Sequence, residues 1–232
     1  MKKLLSVVLA SAALLAGTNA YAQFSAGLGW LNSTEITRYT NNTDNVDRDN
    51  LNGFYVGGQY NLEIFENFGV APGLYFSSVF GKYANSKGIK AGSNTTRADY
   101  REIMLNLPVN VNYSIPVGRD FNIIVYAGPV FQLGLLSRSS IENRTDTIFG
   151  STTTGRWTYN YYTGKWRDPD GKTYDDDPSR NRFNIFLGGG AGFQAGDIQV
   201  LLGYDHSLLN FSKVSNEKAG RSQIKLGIGI SF

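Results

Sequence analysis

The stretch from Gln223 to Phe232, Q-I-K-L-G-I-G-I-S-F, constrains the fold more than any other. Side chains on an extended strand alternate between its two faces. Ile224, Leu226, Ile228, Ile230 and Phe232 therefore share one face, and Gln223, Lys225, Gly227, Gly229 and Ser231 share the other. Alternation alone would also suit a soluble sheet. Five apolar positions facing one way, with the aromatic Phe232 unprotected, suit a barrel wall in lipid better. There the apolar face meets acyl chains and the backbone pairs on both sides.

The start of the chain agrees. Lys2 and Lys3 precede an apolar run from Leu4 to Ala16, and Ala20-Tyr21-Ala22 has small residues at the two positions a signal peptidase inspects. This predicts a secretory signal peptide over residues 1–22, too short to span a membrane, and a barrel domain over residues 23–232. Position 23 is Gln and the chain has no cysteine, so attachment of a lipid through cysteine is not expected. No other stretch approaches the ~20 apolar residues of a membrane helix, which leaves strands as the means of crossing. The net charge of +3 includes the two signal-peptide lysines and gives no reason to expect nucleic acid as a partner.

Seven more stretches alternate in the same way. They run near residues 24–31, 54–62, 68–77, 102–113, 121–136, 183–194 and 198–205. The cleanest sets Ile103, Leu105, Leu107, Val109, Val111 and Tyr113 against Glu102, Met104, Asn106, Pro108, Asn110 and Asn112. Between them the polar stretches 32–50, 82–97, 137–181 and 207–220 read as long loops, and those near 63–67, 114–120 and 195–197 as short turns. Long and short connections strictly alternate. The expectation is an all-β, eight-stranded antiparallel up-and-down transmembrane β-barrel with short periplasmic turns and long extracellular loops. A soluble barrel with the same strands would bury the apolar face. Its polar face is so rich in glycine that a core made the other way round would be full of holes.

Short motifs carry a family resemblance. Tyr100-Arg101-Glu102-Ile103, Leu107-Pro108-Val109, Tyr126-Ala127-Gly128-Pro129 and Gly188-Gly189-Gly190-Ala191-Gly192-Phe193 resemble the small porin-family outer-membrane β-barrel proteins of Bacteroidetes, which share the OmpA-type transmembrane architecture. Gly203-Tyr204-Asp205-His206-Ser207-Leu208-Leu209-Asn210 is similar to that family's strand-seven ending, with Gly203 where the family has Arg and Ser207 where it has Gly. The closing residues Ile224, Leu226, Ile228, Ile230 and Phe232 resemble the signal by which outer-membrane barrels are recognised for assembly. The resemblance implies outer-membrane lipid and the barrel-assembly machinery as partners, and no reaction.

Candidate chemistry is sparse. Glu102, Asp205 and Lys225 fall on the inward face towards the extracellular half. They are expected to form a lumen charge cluster, either plugging the barrel or acting as a selectivity ring for small solutes. Asp205-His206-Ser207 cannot be a catalytic triad, because consecutive strand residues face opposite ways. Gly188 to Gly192 is followed by no helical pattern and so is no phosphate loop. In the 137–181 stretch, Trp157, Tyr159, Tyr161, Tyr162 and Trp166 suggest an external hairpin turning near Thr163-Gly164, either simply solvated or a contact site for an extracellular ligand. Asp168, Asp170 and Asp175 to Asp177 lack the spacing of a calcium loop. No catalytic residue, metal or cofactor is expected. Two functions remain: a filled barrel serving envelope structure or surface interaction, or a narrow porin-like channel.

Overall fold

The computed structural model describes residues 22–39, 46–87, 93–147 and 150–232; the expected signal peptide lies outside them except for Ala22. Within these residues eleven strands follow one another: β1 (Ala22–Tyr39), β2 (Val46–Phe65), β3 (Phe68–Lys87), β4 (Ser93–Pro116), β5 (Phe121–Thr147), β6 (Gly150–Asn160), β7 (Lys165–Arg167), β8 (Thr173–Asp175), β9 (Phe183–Ala195), β10 (Ile198–Ser207) and β11 (Glu217–Ser231). Eight of them form a ring in the order β1-β2-β3-β4-β5-β9-β10-β11, with every pair antiparallel. The ring closes between β11 and β1. No strand edge is left open to lipid around it, as a membrane barrel requires.

The outward face is apolar and bare. Leu28, Phe54, Phe76, Leu107, Leu202 and Ile228 are each 45–60% exposed. A continuous apolar belt of this kind is stable only against acyl chains. Aromatic residues mark its edges, with Phe24, Tyr60, Phe65, Tyr113, Phe121 and Phe193 below and Trp30, Phe54, Phe80, Phe183 and Tyr204 above. At the lower edge β2 turns into β3 through Glu66-Asn67 and β9 into β10 through Gly196-Asp197. The tight reversals place Asn67 and Gly196 at φ 65° and 56°, a region that Asn and Gly tolerate.

Above the belt, the structure corrects the loops expected over residues 32–50, 82–97, 137–181 and 207–220. β1 runs on to Tyr39 and β2 begins at Val46, β3 reaches Lys87 and β4 starts at Ser93, β5 extends to Thr147, and β11 begins at Glu217. These extensions have water on their outer face, so apolar alternation has no reason to appear. Backbone ladders and polar cross-strand pairs hold them instead, such as Thr34 Oγ1 donating to Asn50 Oδ1 at 2.7 Å and Asn32 Nδ2 to Asn52 Oδ1 at 3.0 Å. β5 changes partner on the way up: Phe121–Leu133 pairs with β9, whereas Arg138 and beyond pair with β6. A bulge opposite Ile103 and Met104 lies at the change. β6, β7 and β8 then form a short meander outside the ring, so the expected single hairpin is three strands.

Candidate functional site: the filled lumen

The lower lumen is shaped by tyrosines lying over glycines. Tyr126 on β5 reaches across to Gly190 and Gly203, where a Cβ on Gly190 would meet its hydroxyl at 2.6 Å. Tyr55 covers Gly29 and Gly227 in the same way. A Cβ on Gly203 would meet the Tyr126 hydroxyl as well, so the Tyr126 ring requires glycine at that position. Asp205 and Lys225 form an ion pair beside these rings, on the two strands of the β10–β11 hairpin. Beneath them lies a polar cavity of about 370 Å³, lined among others by Gln59, Asn61, Asn112 and Gln199, which reaches the lower rim at Glu63, Asn67 and Asn122.

Above the tyrosines the filling becomes apolar. Leu31, Leu51, Val79 and Met104, one from each of β1 to β4, are buried together with Tyr100. An ionic layer follows. Arg221 Nη2 on β11 donates to Glu102 Oε2 on β4 at 2.7 Å and to Glu35 Oε2 on β1 at 3.3 Å. Arg180, from the segment before β9, donates to Glu35 Oε1 at 2.5 Å and to the Tyr100 hydroxyl at 2.7 Å. Its guanidinium lies 4.7 Å from the Tyr161 ring centre and 5.3 Å from that of Tyr100. Burial opposes the charge on Arg180, but Tyr100, Glu35 and Glu102 outweigh it and hold the pKa above the usual arginine value.

The segment after β6 folds back into this layer. Tyr161 donates its backbone N–H to Ser137 O at 2.9 Å, and the Tyr162 hydroxyl donates to Glu102. Burial first, and the Glu102 carboxylate with it, raise the Tyr162 pKa above its ordinary value, so the phenol keeps its proton at physiological pH. The void left between Glu102, Tyr162, Arg180 and Arg221 measures about 10 Å³, far too little for a solute.

The structure divides the three charges expected to cluster. Asp205 and Lys225 meet, whereas Glu102 is held by Arg221 in a separate layer on the far side of the apolar one. Of the five loop aromatics, Tyr159 and Tyr162 are buried, Tyr161 and Trp166 are half-buried, and Trp157 is exposed. Ile224, Leu226, Ile228, Ile230 and Phe232 all face outward on the closing strand. Glu35, Arg180 and Arg221 complete the ionic layer. Continuing the inward parity of Leu31 and Ser33 by two residues reaches Glu35, and stepping back from Lys225 and Gln223 reaches Arg221. No periodic signal points to Arg180.

In sequence, no curated protein matches the chain. Among solved structures it resembles Ail, the attachment invasion locus protein of Yersinia pestis, at 12% identity and a TM-score of 0.36, over 91% of this chain and 99% of Ail. It also resembles Neisserial surface protein A, at 11% identity and a TM-score of 0.40, over 93% and 100% of the two chains. The outer membrane enzyme PagL follows at 10% identity and a TM-score of 0.33, over 86% and 98%. The family model of the outer membrane protein beta-barrel domain matches residues 4–232. The chain belongs to that family and is an integral β-barrel protein of the cell outer membrane.

Proposed function

We propose that this protein is a non-enzymatic barrel whose upper lumen is closed by side chains and which acts through its extracellular surface, in envelope structure or in surface interaction. Within the family, its motifs fit the small porin-family barrels of Bacteroidetes, and the strand carrying Ile224, Leu226, Ile228, Ile230 and Phe232 would be read by the barrel-assembly machinery. One observation carries the reading: four charged groups from four parts of the chain neutralise one another across the lumen under the Tyr161-Tyr162 segment. Groups so fully engaged are poor candidates for binding a passing ion. Trp157 and Tyr174, both exposed on the outer meander, are the residues best placed for an extracellular contact.

The test is single-channel conductance of the folded protein in a planar bilayer. The expected outcome is silence, and a steady current that changes when Glu102 is replaced by Gln would overturn the reading. The narrow-channel alternative draws on the polar cavity of about 370 Å³ that reaches the lower rim. It requires the ionic layer to part.

A further inference from the structure

In the motif Tyr100-Arg101-Glu102-Ile103, Tyr100 and Glu102 face inward and enter the ionic layer, but Arg101 faces out. It stands directly opposite Arg138 on β5, just above the lipid-facing Ile103 and Leu136, which are themselves paired. Both arginines are exposed, and among the described residues neither forms an ion pair with an acid. Like charges directly across an antiparallel pair, with Cβ atoms about 5 Å apart, repel one another. Arg101 has Phe80 of the upper aromatic edge as its partner on β3. Lys82, one outward position higher, faces Asp99 across the β3–β4 pair, so the nearest acid on that face has a cation directly opposite it. Below the belt the sign reverses: Glu63, Glu66, Asp120 and Asp197 are exposed there, and among the described residues Arg119 is the one cation beside them.

We propose that Arg101 and Arg138 clamp a phosphate group of an outer-leaflet lipid. The position is at the height where a lipid head group meets the wall, with acyl chains below against Ile103, Leu105 and Leu107. Two guanidinium forks side by side match the oxygens of one phosphate, which would turn a repulsive pair into a bridged one. An anionic lipid has its charge and its tails on the correct sides of this boundary. A free phosphate shares the charge but gains nothing from the apolar rows beneath.

The experiment is native mass spectrometry of the full folded protein, extracted in mild detergent and offered lipid A carrying two, one or no phosphates. The wild type should retain the phosphorylated forms over the dephosphorylated one. The double variant R101Q/R138Q should lose about tenfold in retention, the scale of one or two charge-assisted hydrogen bonds. R101K/R138K, keeping charge without the fork, should fall between. Arg119→Gln at the lower rim should change nothing. Removing a repulsive surface pair should not impair folding, and heat-modifiable gel mobility checks this; the single Arg138→Gln serves if the double variant is poorly folded. Equal retention by wild type and variant, or by phosphorylated and dephosphorylated lipid, would overturn the proposal. Full displacement of the lipid by millimolar inorganic phosphate would reassign the pair to a free anion.

Discussion

The two halves of the lumen are filled by opposite means. Below the Leu31 layer, tyrosine rings fit over glycines and a polar hollow remains. Above it, Glu35, Glu102, Arg180 and Arg221 pack with almost no void, and charge rather than shape decides what fits. A shape-filled region fails gradually, because a neighbour can shift to absorb a change. A charge-filled one fails abruptly, because a lone buried ion has no remedy short of changing protonation or admitting water. The barrel therefore has a tolerant end facing the periplasm and an unforgiving end facing the outside.

The largest expected effect follows directly. Arg221→Met leaves Glu35 without one of its two partners and Glu102 without its guanidinium, and should destabilise by about 3–5 kcal/mol, the usual cost of stranding a buried charge. Urea unfolding in lipid vesicles measures it. Lys225→Met in the lower half should cost less, because Lys225 is only partly buried and the pair borders the polar cavity, from which water can be admitted to the carboxylate left behind. Equal losses from the two variants would erase the distinction between the halves.

Shape is tested by Gly203→Val, which pushes Tyr126 off its glycines and should cost about 1–3 kcal/mol through overpacking. Pairing it with Tyr126→Ala should recover much of that loss, since removing the ring frees the space the valine needs. No such volume exchange should rescue Arg221→Met. In the upper half, Tyr162→Phe removes one hydrogen bond to Glu102 and should cost about 1–2 kcal/mol, read by the same unfolding measurement.

How legible each half was in the sequence follows from the same contrast. The membrane belt imposes an in–out rule on the residues it touches, so eight strands and their lower turns could be read from alternation, with parity plain except over 121–136, where both faces are apolar. Above the belt the rule lapses. Thr34, Asn50 and Asn52 are as strand-like as Leu28, but water on the outer face removes the apolar beat that would reveal them. Glu35 and Arg221 were within reach, because parity continues after hydrophobicity stops. Arg180 was not. It arrives from an irregular segment, fixed by backbone bonds of Ser179 and Arg180 to Tyr161 O at 3.1 and 3.2 Å, and only the folded chain brings it over Glu35. The inward turn of Tyr161 and Tyr162 was hidden for the same reason: a run of aromatics looks alike whether it faces solvent or a lumen.

The smallest effect sharpens the contrast at its upper limit. Asp49, on the extracellular extension of β2, is half-buried near Glu35 and Asp47, and its pKa is raised, first by burial and then by those two carboxylates, against the pull of Arg180. A carboxyl whose folded pKa lies above its unfolded value favours folding while it is protonated. That contribution is fully present below the unfolded pKa and is lost as the pH rises through the folded one. At neutral pH Asp49 is therefore a small burden on the layer that needs charge balance most. Asp49→Asn should stabilise by a few tenths of a kcal/mol at pH 7, a value reduced by solvent screening of a group that water still reaches. The gain should fade as the pH falls into the ordinary carboxylate range, where the wild-type residue is protonated as well. Unfolding midpoints of the two proteins that stay parallel across that range would mean that the ionic layer ends below Asp49 and that the extension above it is governed by backbone pairing alone.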